Sequence, residues 1–291
     1  MADAFKSPQA AQRFREAYLE ILAMWPVPNT HRRVETREGE TFVIASGPED
    51  APPVVLLHGT MANSATWIRE VALWSQAFRV YAVDIIGDAG FSAPSRPKLA
   101  SDTHVLWLDD VLAGLGVGAA SLVGLSFGGW LALDYAIRRP ARVRSLVLMA
   151  PGGIGRQRNV LLWALPLLCL GPWGARKVRE RIIGRGPADP SPQVQRFSDF
   201  MALIFRTMRP RTEALPRVDD AALKRLAMPL LVILGGRDVM VDSPGIRDRV
   251  TRCIPSAEII YLSEARHYLG DQSVPVMDFL QRTAGNASPS D

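Results

Sequence analysis

Ser121-Leu122-Val123-Gly124-Leu125-Ser126-Phe127-Gly128-Gly129-Trp130 is the stretch that decides how this chain is read. An apolar run, Ser121–Leu125, leads straight into Gly-x-Ser-x-Gly, and a helical stretch from Phe127 to Arg138 follows. A serine at so sharp a strand-to-helix turn stands with its Oγ exposed at the carboxyl edge of a sheet. Small flanking residues let neighbouring backbone come close. With Gly and Ser each at roughly 7% of residues, the pattern alone turns up by chance in about one chain in ten of this size. The strand before it and the helix after it make it informative. The bland alternative is a glycine-rich turn whose serine caps a helix.

Outward from this turn, continuous apolar runs recur at Val54–Leu57, Val80–Val83 and Val143–Met149. Runs apolar on both faces suit central strands of a parallel sheet covered on both sides. Helical stretches lie between them, at Ser64–Ala77 and Asp102–Gly114. The alternation implies right-handed βαβ units and a doubly wound sheet. Strands resume at Leu230–Leu234 and Glu258–Leu262, with helices near Pro244–Arg252 and Val274–Arg282. Upstream, Ser7-Pro8 reads as a capped helix start, and Phe14, Tyr18, Ile21, Leu22 and Trp25 recur at helical spacing until Pro26. Thr30–Arg37 and Thr41–Ser46 form an expected β-hairpin.

From Gly152 to about Arg225 no strand pattern appears, only helix-like stretches and prolines. An insertion of roughly 70 residues inside a compact domain is usually functional, for example a lid. The expected organisation is therefore an N-terminal helical extension over 1–29 and a core over 30–151 and 226–284. A helical cap over 152–225 interrupts that core, and a flexible tail over 285–291 closes the chain.

Composition bounds the rest. Over 291 residues, 48% hydrophobic and 22% charged is ordinary for a globular protein and excludes a disordered one. A net charge of +5 is too small to indicate nucleic acid. Cys169 and Cys253 supply neither a disulfide framework nor metal-ligand spacing. The Met1–Lys6 start lacks the apolar core of a signal peptide, so a reduced, cytoplasmic setting is expected. The uncharged run Asn159–Ala175 contains Pro166, Gly171 and Pro172, and reads as buried or lid-forming rather than membrane-spanning.

A serine hydroxyl needs a base to take its proton. Of the four histidines, His31 is expected ahead of the hairpin and His104 falls within a helical stretch. His58, in His58-Gly59-Thr60-Met61 after the strand Val54–Leu57, reads as a structural turn residue. His267 follows the last strand, on the same sheet edge as Ser126, and is the expected base. Asp238, directly after the strand Leu230–Leu234 in Gly235-Gly236-Arg237-Asp238, is the expected carboxylate partner. Asp242 is the second candidate, though a cap before Ser243-Pro244 suits it better. Glu264 and Asp271 read as solvated loop charges. The backbone N–H groups of Thr60 and Phe127 are the expected oxyanion donors, the second at a helix N-terminus.

These motifs resemble the α/β-hydrolase superfamily. Leu56-Leu57-His58-Gly59, Asp84-Ile85-Ile86-Gly87-Asp88, the Gly124–Gly129 turn, Gly236-Arg237-Asp238 and His267 all fall in family order. The likeness is strongest to bacterial carboxylesterase-type members with a helical cap. It implies a mostly parallel eight-stranded α/β sheet with helices on both faces, a Ser126-His267-Asp238 triad and no cofactor or metal. Serine at the turn disfavours haloalkane dehalogenases and epoxide hydrolases, which use aspartate there. Arg266 stands before His267 where relatives commonly have glycine.

The expected activity is hydrolysis of carboxylic esters through an acyl-enzyme. A thioesterase, a lyase, a C–C bond hydrolase or a perhydrolase could use the same triad. A non-catalytic small-molecule receptor on this fold is the alternative of a different class. The expected partner is a small-molecule ester, with no nucleic acid and no membrane span; a homodimer is compatible with the sequence. The insertion's Val160–Leu168, Trp163, Trp173 and Phe197–Phe205 could line an acyl pocket or bury one face on the core. Between Pro151 and Arg225 stand 14 Lys/Arg against 6 Asp/Glu, so the remainder of the chain is net negative. The bland reading of that excess is a solvated basic face; the alternative is a preference for acidic esters.

Overall fold

The computed structural model describes residues 4–158, 160–187 and 189–285. The polar tail expected beyond Gly285, residues 1–3, Asn159, and the side chains of Leu161 and Leu162 lie outside the described residues. Eight strands form one sheet: β1 (Asn29–Val34), β2 (Thr41–Ser46), β3 (Pro53–Leu57), β4 (Arg79–Val83), β5 (Ala120–Leu125), β6 (Val143–Met149), β7 (Leu230–Gly235) and β8 (Glu258–Leu262). Their spatial order is β1-β2-β4-β3-β5-β6-β7-β8. The hairpin β1–β2 and the β2–β4 pair are antiparallel, and every pair from β4 onward is parallel.

Alternation along the strands feeds two cores, because successive side chains point to opposite faces. Val55 and Leu57 of β3 face one core and Val54 and Leu56 the other. The first core is closed by α3 (Thr103–Gly114), α4 (Phe127–Arg138), α8 (Asp220–Lys224) and α9 (Ser243–Cys253), through residues such as Trp107, Leu131, Leu223 and Val250. The second is closed by α1 (Pro8–Leu22), α2 (Val71–Trp74), α7 (Pro192–Thr207) and α10 (Ser273–Ala284), through Tyr18, Trp74, Phe200 and Phe279. Helices α5 (Val160–Leu168) and α6 (Gly171–Ile183) complete the set between β6 and β7.

The continuous helix expected over Ser64–Ala77 does not form. A 3₁₀ turn at Ser64–Trp67 and the four residues of α2 stand there instead. Tertiary contacts override local propensity. Ser64 is tied by N–H and hydroxyl to Asp84, and the bend lets both Trp67 and Trp74 bury fully. Helix α1 starts as its sequence dictates, with Ser7 Oγ accepting from Ala10 N–H at 3.1 Å. Its buried face meets the insertion: the Phe200 ring of α7 lies 5.8 Å from Phe14 and 5.6 Å from Tyr18. Phe200, one of the aromatics that could line an acyl pocket or bury a face on the core, is thus spent on packing.

Candidate active site

Ser126 sits at the end of β5 with φ 53° and ψ −107°, a conformation costly for any residue but glycine. The surroundings hold it there. Its N–H donates to the Met149 carbonyl at 2.8 Å, and its own carbonyl accepts from Trp130 at 3.0 Å and Gly152 at 3.2 Å. Two positions on, Gly128 donates to the His58 carbonyl at 3.0 Å. A Cβ at Gly128 would lie 2.1 Å from the Leu57 carbonyl oxygen, so only glycine lets α4 start this close to β3.

Asp238 and His267 arrive on adjacent loops. Gly235 ends β7, and a Cβ there would lie 2.1 Å from the Arg266 carbonyl oxygen. Glycine lets the β7 loop press against the loop after β8, sealed by Arg237 N–H donating to Ala265 O at 2.8 Å. That contact brings Asp238 to His267. The imidazole Nδ1 is 2.7 Å from Asp238 Oδ2, and Nε2 is 3.0 Å from Ser126 Oγ. Asp238 is 2% exposed, and its Oδ1 accepts from Met240 N–H at 2.7 Å and Val241 N–H at 3.2 Å. An ionised carboxylate so buried and so fully bonded fixes the ring tautomer: Nδ1 carries the proton and Nε2 faces the hydroxyl as acceptor. The site can therefore abstract the Ser126 proton and stabilise the imidazolium that results.

The loop after β3 passes directly over the serine, since a Cβ at Gly59 would lie 3.5 Å from Ser126 Cβ. Thr60 follows it, and Phe127 opens α4. Among the described residues, neither amide N–H of this pair has a protein acceptor.

The other histidines stand apart from this chemistry. His58 is fully buried; its Nδ1 lies 2.8 Å from the Gly59 carbonyl and its Nε2 accepts from Ile85 N–H at 2.9 Å. It ties the β3 loop to the β4 loop. His31 lies in β1 opposite Ile44, inside the hairpin rather than ahead of it. His104 is buried in α3 with its ring edge-on to Phe127 and Trp130, and burial pushes its imidazole down to about 4. Asp242 caps α9 by accepting from Gly245 N–H at 3.3 Å. Glu264 pairs with Arg237, and Asp271 binds Ser273.

Three supports were not apparent from the sequence. The turn carrying Thr60 has Met61 at φ 59°, and Asp88 Oδ1 accepts the Met61 N–H at 2.8 Å. Burial pushes the Asp88 carboxyl above its ordinary range. The loop after Asp238 pairs with the chain entering the insertion, where Arg158 N–H donates to Met240 O at 2.9 Å. Finally, the last-turn carbonyls of α6 have no partners within the helix. Ile182 O accepts from His267 N–H at 3.1 Å, and Arg181 O accepts from Arg266 Nη1 at 2.8 Å. Arg266, a departure from the family pattern before His267, is the one sequence signal that could have found this contact.

A mostly parallel eight-stranded sheet with a strained serine between β5 and α4 defines the class of α/β hydrolases. The family model described as alpha/beta hydrolase fold matches residues 52–226, and the chain belongs to that family. Over 273 residues it is 34% identical to the carboxylesterase YbfK of Bacillus subtilis, covering 91% of this chain and 90% of that one. The crystal structure of that carboxylesterase, CesB (YbfK), superimposes with a TM-score of 0.81 over 96% of this chain and all of the other, at 32% identity. The naproxen esterase of Bacillus subtilis superimposes equally well, with TM-score 0.81, 30% identity, and 95% and 99% of the two chains covered.

Proposed function

We propose that the protein is a serine carboxylesterase. It cleaves carboxylic esters through an acyl-enzyme, with Ser126 as nucleophile, His267 as general base and acid, and Asp238 as the base's carboxylate. The observation that carries this reading is the unbroken line from Asp238 Oδ2 through the imidazole to Ser126 Oγ, at 2.7 and 3.0 Å. The similarity to two carboxylesterases over nearly the whole chain supports the ester as substrate.

In the first half-reaction Ser126 Oγ attacks the ester carbonyl as His267 Nε2 takes its proton. Negative charge gathers on the carbonyl oxygen, where the Thr60 and Phe127 amides donate to it. The dipole of α4 favours the charge at Phe127. His267 then passes the proton to the departing alcohol. Water then attacks the acyl carbon and gives a proton to His267; the bond to Ser126 Oγ breaks, Oγ takes that proton, and the acid leaves. The strain at Ser126 keeps the hydroxyl projecting from the turn throughout.

The helices between β6 and β7 are read as a cap over the site, on the strength of the α6 contact with the His267 loop. Among the described residues no helix is long and apolar enough to cross a membrane. Two free cysteines, Cys169 exposed and Cys253 buried, support a reducing, cytoplasmic setting.

The test is covalent. An organophosphonate is expected to modify Ser126 and abolish turnover of a p-nitrophenyl ester, and Ser126→Ala is expected to lose both label and activity. Undiminished labelling of the Ser126→Ala protein would remove Ser126 from its role.

A further inference from the structure

A cleft of about 740 Å³ opens beside the catalytic loops. Its apolar part is formed by Leu167, Trp173 and Val239, and its rim by Lys177, Arg181, Arg185 and Arg266. Among the described residues, Glu180 is the one acid that lines it. The Glu180 carboxylate lies 3.4 Å from Lys177 and 3.8 Å from Arg185, so a single negative charge faces four positive ones. Among the described residues, the remaining contacts of these cations bring no further carboxylate. Arg181 lies over the Trp163 ring at 4.7 Å, Lys177 lies over the Trp173 ring at 5.8 Å, and Arg266 donates to a backbone carbonyl.

The placement of this cleft is specific. Val239 follows Asp238 in sequence and Arg266 precedes His267. One wall of the cleft is therefore the pair of loops that carry the acid and the base. At 3.8 Å per residue, that wall is within roughly 10 Å of the relay, the reach of a medium-length carbon chain. The volume is in the range that holds a small organic molecule. An apolar floor with an uncompensated basic rim suits a ligand that is apolar along its length and anionic at its end.

We infer that this cleft is an anion subsite, and that the preferred substrates are esters whose apolar chain ends in a free carboxylate. The inference rests on the serine-esterase reading of the neighbouring site. The carboxylate binds Lys177 and Arg185 in exchange for their shared contact with Glu180, and the chain lies along Leu167 and Trp173.

The test compares p-nitrophenyl decanoate with the mono-p-nitrophenyl ester of decanedioic acid. At low salt the ratio of kcat/KM, acidic over neutral, is expected to reach about tenfold. It is expected to fall toward unity at 1 M salt, where the Debye length shrinks to about 3 Å. The double variant Lys177→Gln/Arg185→Gln is expected to lower the ratio by a similar factor; both side chains reach solvent, so the fold is not at stake. A second readout needs no turnover. Decanoate titrated into the Ser126→Ala protein is expected to change tryptophan fluorescence, and Trp173→Phe is expected to abolish that change. A ratio at or below one at both salt levels would overturn the subsite and leave the esterase standing. Turnover of neither ester would overturn the esterase reading, and decanoate binding would then decide the cleft by itself.

Discussion

Asp238 holds three hydrogen bonds, and their directions decide what a substitution does. In Asp238→Asn the carbonyl oxygen can keep the Met240 and Val241 amides, which turns the NH₂ group toward His267. Nδ1 must then accept, the ring proton moves to Nε2, and the base is lost. A fall of about 10⁴ in kcat is expected, the size of effect this change has in a protease triad. Asp242→Asn keeps its acceptor for Gly245 and is expected to stay near wild-type activity. Steady-state kinetics on the two variants check this, and the opposite pattern would make Asp242 the functional acid. Asp88 acts one step further out. With Asp88→Ala the Met61 N–H loses its acceptor and the turn that aims Thr60 loosens. A fall in kcat of about 10- to 100-fold with KM largely retained is expected, since small misplacements of catalytic groups cost that much. Asp88→Asn, which still offers an oxygen, is expected to restore most of the rate. Equal losses in both variants would show that Asp88 does not work through that hydrogen bond.

Two helices carry consequences for stability. On α3, His104 is buried against Phe127 and Trp130, and neither ring nitrogen has a partner among the described residues. Its imidazole lies near 4 in the folded protein against an ordinary value of 6.5. The unfolded chain therefore takes up the proton first as pH falls. The stability linked to this group is whole above about 6.5 and is lost progressively toward about 4, roughly 3 kcal/mol in all. His104→Leu is expected to flatten the decline of Tm between pH 7 and pH 4.5. A variant that loses Tm as steeply as wild type would exclude His104 as the cause. On α7, Phe200 is 3% exposed and stacks on two rings of α1. Phe200→Ala is expected to cost about 3–5 kcal/mol in urea unfolding. A loss under about 1 kcal/mol would mean that α1 and α7 repack around the space.

Across the whole molecule, the parts legible in the sequence are those set by local pattern. Strands apolar on both faces, such as Val54–Leu57, could be read from hydrophobicity alone, and the order serine, aspartate, histidine along the chain placed three residues on one sheet edge. What could not be read depends on pairs distant in sequence. The break at Trp67–Val71 follows from Asp84 holding Ser64, 20 residues away. The Asp88–Met61 bond spans 27 residues and leaves no periodic trace. The basic excess of the insertion was visible as a count, but the meeting of Lys177, Arg181 and Arg185 with Arg266 at one cleft emerges only when α6 packs beside the β8 loop. The positions of single loop residues were legible where a strand pointed to them, and illegible where a helix from elsewhere reached in.

The bonds from α6 to the His267 loop bear on how such proteins can be recombined. Insertions between β6 and β7 look like exchangeable cassettes, since the sheet is complete without them. In this chain the cassette supplies the carbonyls of Arg181 and Ile182 that the His267 loop leans on. With these helices read as a cap and His267 as the base, a chimera that received a relative's insertion would inherit a new entrance and lose its alignment of the base together, unless the graft brought a helix ending at the same point. On the proposed reading, specificity and turnover would therefore be inherited as a single trait, and cassette swaps should be paired with a matching change at Arg266.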